Sequence, residues 1–390
     1  MDKMRKIKRL LNLLIIAALF NACCEKVQIS RLYISGYTGR DGSDGGLRIV
    51  DVDLEKGIFT PVSEADAGPS PSYICISKKH NMIYAANESG RTNEEGVRVG
   101  LITALKLDAN AGKAEQVKQL DLPAGSACFV SITPDEDFAL LASYGSGSIT
   151  VVRLDGMGVP VEVTDTMVFR QEGVRSARGH MVIVSPYGKV YISCLQLDKV
   201  MILDLNKSTG KLTHTGYATL AEGAGPRHFT FNKDGSKMYV INEVNMTMTV
   251  FNVAKDGSAT EIQTISTLPP GTEVIREYST ADVHFSKDGK FLYGSNRGHN
   301  TIVTFKVEAD GKLTFVGVTP CGGNHPRNFT LDPSGKYILV ANTNAGRNPN
   351  PETETPENVS LFSIDKKTGL PVGPIATYPT RQPSCLKFIE

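Results

Sequence analysis

Tryptophan is absent from this sequence of 390 residues. The absence excludes the tryptophan-aspartate class of repeat proteins and takes away a favoured ring for stacking against sugars. An excess of one charge is missing too, because 42 basic side chains meet 41 acidic ones. Nothing in that balance points to a polyanionic partner, and nucleic acid is not expected. Several chemical signatures are also lacking. No G-x-S-x-G elbow supports a serine nucleophile. None of the seven cysteines forms a C-x-x-C redox or metal pair. No H-x-x-H or D-x-D-x-D cluster announces a metal. The glycines of residues 36–46 join two strands and do not open a helix, so a phosphate-binding loop is rejected.

Long apolar runs are scarce as well. The longest, residues 10–20, is shorter than the roughly 20 residues that a membrane-spanning helix needs. It follows Lys3, Arg5, Lys6, Lys8 and Arg9 and ends at Asn21-Ala22-Cys23, the layout of an export signal. The Ala-Cys junction predicts a lipoprotein-type signal over residues 1–23, with Cys23 acylated and the mature chain held at a membrane of the cell envelope or periplasm. Removing that segment leaves 37 basic and 40 acidic side chains. Residues 24–390 are then read as a single domain. Of the six later cysteines, Cys75, Cys194 and Cys385 fall within or at the ends of apolar strands, as small buried residues do.

What the chain has in abundance is repetition. An apolar strand, a tight polar turn and a second strand rich in Tyr, Val and Ile recur six times. Taking His80, Glu136, Gly188, Gly235, Gly289 and Gly335 as turn markers gives intervals of 56, 52, 47, 54 and 46 residues. Strand repeats of that length predict an all-β propeller. A seventh copy is split, with a first strand at residues 383–388 and a second at residues 31–37. Pairing the two chain ends would close a seven-bladed ring and remove its last free sheet edge.

In such a ring the first strand of each blade begins, and the second ends, at one mouth of the central channel. Eight residues before the markers stand Ser72, Cys128, His180, Arg227, Ala281 and Arg327, with Ser384 from the split blade. The next positions include His228 and Asp282. Eight residues after the markers stand Glu88, Tyr144, Gln196, Glu243, Arg297 and Thr343. Arg227, Glu243 and Arg297 come from adjacent blades, and convergent polar groups at a concave mouth are the pattern of a ligand site. Two long connections, residues 89–97 and 345–357, are expected to overhang the same mouth as lids or surface loops.

Three phrases, GAGPRHFTFNKDGSKMYVINE, STADVHFSKDGKFLYGSNRGHNTI and NHPRNFTLDPSGKYILVANTN, resemble those of the seven-bladed propeller lactonases. That family groups bacterial 6-phosphogluconolactonases with fungal carboxy-muconate lactonizing enzymes. The resemblance runs from about Arg31 to Phe388. It implies hydrolysis or closure of a lactone ring at the channel mouth, with His180, Arg227, Glu243 and Arg297 as the catalytic set. The substrate would be a small lactone with an anionic or polyhydroxy group, and His228, Arg327, Asp282 and Glu88 are expected to help bind it.

Water attacking an ester carbonyl places negative charge on its oxygen, and an arginine aimed there suits that step. Guanidinium groups also clamp phosphate or carboxylate. Arg227 and Arg297 divide these tasks in an order that the sequence leaves open, and Glu243 or His180 takes the proton. No cofactor is required on this reading. The alternative that oxygen chemistry allows is a divalent cation on Glu88, Glu243 and Asp282. Two other functions stay open at this stage: a non-enzymatic binding propeller displayed on a membrane, and muconate lactonizing activity.

Overall fold

The structure is a computed structural model that describes residues 29–38, 46–344 and 356–389. The expected export signal with Cys23, and most of the 345–357 connection, lie outside the described residues. Twenty-eight strands form seven antiparallel sheets of four. The innermost strands are β4 (Pro71–Ser77), β8 (Ala127–Ile132), β12 (Gly179–Val184), β16 (Pro226–Phe231), β20 (Ser279–Phe285), β24 (Pro326–Leu331) and β28 (Pro383–Phe388). Each touches the next around the circle, and β28 returns to β4. The result is the seven-bladed β-propeller that the repeat predicts.

Closure works as the split copy implies. Strand β28 pairs with β1 (Ile29–Gly36), so that Leu386 stands opposite Ile34, and β1 continues into β2 (Gly46–Asp53) and β3 (Ile58–Asp66). The alternation of each inner pair of strands sends apolar side chains into the spaces between blades. Ile34, Val50, Leu339, Leu361 and Leu386 form one such cluster across the closing seam.

A second device ties blade to blade. Tyr84, Tyr191, Tyr239 and Tyr293 occupy equivalent positions on the second strands of their blades. Each phenol donates to a backbone carbonyl in an outer turn of the following blade, at Gly158, Gly257, Gly311 and Gly369, at 2.6 to 2.9 Å. Burial lifts all four phenols above their ordinary pKa, so they remain donors. At the closing seam Arg31 takes over this task and donates to the carbonyls of Ala109 and Asn110. Tyr191→Phe leaves the Gly257 carbonyl without its partner, so unfolding free energy should drop by about 1 to 2 kcal/mol. Urea denaturation measures it, and an unchanged midpoint would show that the latch contributes nothing.

All the turn markers but the first, Glu136, Gly188, Gly235, Gly289 and Gly335, have positive φ, and in the first turn the left-handed residue is Asn81 (φ 50°), next to His80. Asn tolerates that conformation. Two local expectations need correction. The first part of the connection at residues 89–97 is strand: β5 (Met82–Thr92) and β6 (Arg98–Asp108) continue as a ribbon with Arg91 opposite Val99. Only residues 93–97 turn, closed by Asn93 Oδ1, which accepts from the amides of Glu95 and Val97. Gln196 falls in a short 3-10 turn, Leu195–Leu197, where a strand end was expected.

Candidate active site at the channel mouth

The inner strands share one irregularity. In every blade the residue pairing of the first two strands slips at the mouth, leaving extra residues on the inner strand. In blade four Pro226 stands opposite Asn242 and His228 opposite Ile241, so Arg227 has no partner in the ladder. The residues lifted out in this way are Ser72, Cys128, Arg227, Arg327 and Ser384, with His180 and Ala281 in slightly wider slips. These are the seven entry positions counted in the sequence. A bulge re-aims a side chain that pleating would otherwise point between blades, and here it turns that side chain toward the tunnel.

The end of the second strand is pinned by the same corner. The residue before the bulged strand is left-handed at Ser70, Ser126, Gly225, His325 and Gln382. Its carbonyl accepts the amide of Glu88, Tyr144, Glu243, Thr343 and Tyr37 respectively. Entry and exit residues of a blade are thereby fixed side by side.

The arginines and glutamates expected at the mouth do meet. Oε2 of Glu243 lies 2.9 Å from Arg227 Nε and 2.9 Å from Arg297 Nη2. The Arg227 Nε contact is an ion pair and not an aligned hydrogen bond. Arg227 Nη1 donates to the Ala281 carbonyl, and Arg297 donates to the Thr280 carbonyl at 2.6 and 3.1 Å. Arg327 Nη2 stands 3.6 Å from Glu88 Oε2, which also accepts the Tyr37 phenol at 2.9 Å. Its guanidinium lies over the Tyr37 ring, and that of Arg178 lies over Tyr144. Three guanidinium groups, of Arg227, Arg297 and Arg327, thus meet two carboxylates, and this group is net positive.

That crowding shapes the titrations. Burial works to raise the Glu243 carboxyl, but Arg297, Arg227 and Arg327 outweigh it and hold it below its usual range. Burial and the charges of Arg297 and Arg327 lower the Arg227 guanidinium to about 10. Burial, followed by Arg227, His228, Arg327 and Arg297, keeps His180 well below an ordinary imidazole, and its Nδ1 is enclosed without a hydrogen bond.

His228 and Asp282 lie deeper. His228 Nδ1 is 2.7 Å from Asp282 Oδ1, and Asp282 Oδ2 is 2.9 Å from His284 Nε2. Asn328 Nδ2 also donates to Oδ2. Asp282 therefore faces imidazoles and an amide instead of the open mouth. Beside it Tyr73 and Phe129 stack at 4.1 Å, and Lys387 donates to the Tyr73 hydroxyl at 3.1 Å. Beyond this layer is a cavity of about 570 Å³, lined by Lys78, Glu136, His284, Thr330 and Lys387 together with apolar side chains. A larger cleft of about 1250 Å³ lies between the turns of blades four and five and contains none of the mouth residues.

Glu88, Glu243 and Asp282 do not form a three-carboxylate group, and no cluster of three metal-ligating side chains occurs among the described residues. Two residues at the mouth escaped the sequence reading. Tyr37 follows the second strand of the split blade, where the count of exits was not continued. His325 precedes Pro326 at the left-handed corner, two residues before the counted position Arg327. Burial and the charges of Arg297, Arg327 and Arg227 push it down to about 2.

The protein is thus a seven-bladed β-propeller with an arginine-rich, carboxylate-braced mouth. Residues 31–388 match the family model described as lactonase, 7-bladed beta-propeller, and the chain belongs to that family. It is 28% identical over 365 residues to a 6-phosphogluconolactonase of Bacillus subtilis, covering 92% of this chain and 98% of the relative. It is 26% identical over 355 residues to a 6-phosphogluconolactonase of Formosa agariphila, covering 87% and 93%. Among solved structures it resembles the periplasmic gluconolactonase of Pseudomonas aeruginosa, with TM-score 0.83 and 26% identity over 93% of this chain and 99% of that one.

Proposed function

We propose that this protein hydrolyses a small sugar or sugar-acid lactone at the arginine-lined mouth. The observation that carries the reading is the convergence of Arg227 and Arg297 on one oxygen of Glu243, with Arg327 beside them. Opening a lactone moves charge from water onto a carbonyl oxygen and then onto a carboxylate product. A preorganised pair of guanidinium groups in a water-poor site stabilises that charge as it develops. The third binds a phosphate or hydroxyl-rich end of the substrate. Glu243, held as an anion between two cations, braces the arginines, and a neutral imidazole of the mouth is the better proton acceptor.

The substrate class follows from names and place together. Two relatives are named for the phosphorylated gluconolactone and one structure for a periplasmic gluconolactone enzyme. An aldonolactone met outside the cytoplasm suits both these names and the export signal read at residues 1–23, which implies a lipid anchor on Cys23.

The test is acid release from glucono-δ-lactone and from its 6-phosphate, followed above the spontaneous rate. At least one should open faster with protein present, and a chelator should leave the rate unchanged. The chelator expectation rests on the carboxylates, which are already engaged by arginine, phenol and imidazole. Failure to accelerate any member of a lactone panel would favour a binding propeller.

A further inference from the structure

We infer that His228, oriented by Asp282, is the group that takes the proton from the attacking water, a role that rests on the lactone-hydrolase reading above. Both side chains belong to strands already bent inward by their bulges, β16 and β20. Asp282 accepts His228 Nδ1–H through Oδ1. Four further donors hold the carboxylate as an anion: His284 and the Asn328 amide on Oδ2, the Val283 amide on Oδ1 at 3.0 Å, and the Phe329 amide on Oδ2 at 3.4 Å. An anionic partner on Nδ1 fixes the tautomer, so Nε2 presents its lone pair. On its other sides the His228 ring meets His180 at 5.2 Å, Phe129 at 5.5 Å and Tyr73 at 6.0 Å between centroids. Nε2 makes no hydrogen bond among the described residues.

This is the base-plus-orienting-carboxylate arrangement of nucleophile activation, with water in place of a side-chain nucleophile. As the water oxygen bonds to the carbonyl carbon, one water proton passes to Nε2 and the electron pair moves to the carbonyl oxygen, facing the arginines. When the tetrahedral species collapses, the bond from carbonyl carbon to ring oxygen breaks. The same proton returns from Nε2 to that oxygen, giving an alcohol and a carboxylic acid. Asp282 stays ionised throughout and stabilises the transient imidazolium. Glu243 is the weaker base, because its carboxylate lies against two guanidinium groups that favour its ionised form.

Two measurements test the assignment, one of them independent of substrate. The first is nitrogen NMR of the full protein labelled at histidine. His228 should appear as a neutral ring protonated at Nδ1, and Asp282→Asn should invert it to the Nε2–H form, since an amide nitrogen then donates to Nδ1. The second uses whichever lactone the wild type opens. His228→Gln should lower kcat about a hundredfold, with partial rescue by added imidazole. Asp282→Asn should lower kcat with little change in KM. The pH profile of these variants is read against the charges that face the ring: Arg227 on its own strand, His180 on β12, Asp282 and His284 on β20, and Lys387 behind Tyr73. His284→Gln, which preserves a donor to Asp282, should retain most activity. A wild-type ring protonated at Nε2, or kcat within threefold of wild type in folded His228→Gln, would overturn the assignment. A protein with the expected tautomer that opens no lactone would instead overturn the lactone reading and with it the catalytic role.

Discussion

Between pH 6.5 and pH 5 the unfolding free energy of the protein should fall by about 4 kcal/mol. The cause is three imidazoles that the fold keeps neutral. Burial, then Arg227, His228, Arg327 and Arg297, lowers His180. Burial and Arg227 lower His228 to about 4 against the opposing pull of Asp282. Burial and three arginines lower His325 to about 2. In the unfolded chain each titrates near 6.5. On acidification the unfolded state therefore takes up protons first, and stability that is complete above pH 6.5 is lost as pH falls toward the folded values. Each withheld proton contributes about 1.4 kcal/mol per pH unit. Allowing for the partial exposure of His325, three give about 3 kcal/mol per unit. Asp282 and Glu243 are depressed carboxylates, and their contribution is lost only below about pH 4. A loss of 4 kcal/mol is a large share of the 5 to 15 kcal/mol typical of folded proteins. Urea unfolding at pH 7, 6 and 5 measures the slope, and His325→Asn should remove part of it. Equal stability at pH 7 and pH 5 would mean that these rings are solvated or charged in the native state.

The same histidines show how far the sequence could be read. The repeat interval determined the fold, because strand alternation and a tight turn are local signals that survive in every copy. Counting from the turn also found every bulged residue, Arg227, Arg327 and His180 among them. What counting could not supply was the reason those positions face the tunnel. A bulge depends on the register between two strands, and register is a tertiary property. His325 was missed because the counting frame began two residues too late, on the far side of Pro326. Tyr37 was missed because its blade is divided between the chain ends. Asp282 was placed with the substrate binders, yet in the structure its partners are His228, His284 and Asn328. His228 and Asn328 hold the equivalent position in the blades on either side, and His284 lies two residues along the same strand, so the count aligned the group without showing that Asp282 is spent on these contacts. The Ser89 ribbon shows the opposite case, where a polar stretch that reads as loop is paired because two strands simply continue past the rim.

Glu243→Gln is expected to lower kcat about a thousandfold and stability by about 3 kcal/mol, the second effect going beyond what its place in the sequence suggested. In the wild type one carboxylate oxygen sits between Arg227 and Arg297, and Arg327 adds a third positive charge to the group. An amide keeps the shape and one acceptor but removes the one carboxylate in contact with both arginines. Breaking a buried ion pair from one side leaves the other charge uncompensated, which typically costs 3 to 5 kcal/mol. The partial exposure of Glu243 places this site at the lower end. Without the brace the arginines separate, and losing one aligned donor to a developing oxyanion costs about 10² to 10³ in rate. Two donors are disturbed here. Inorganic phosphate should raise the melting temperature of the variant more than that of the wild type, because the anion fills the place of the lost charge. Glu88→Gln serves as the comparison: its arginine is farther away, at 3.6 Å, and the site is wetter, so both losses should be smaller. Turnover within threefold of wild type, together with an unshifted melting temperature in phosphate, would show that Glu243 neither braces the arginines nor shares in the chemistry.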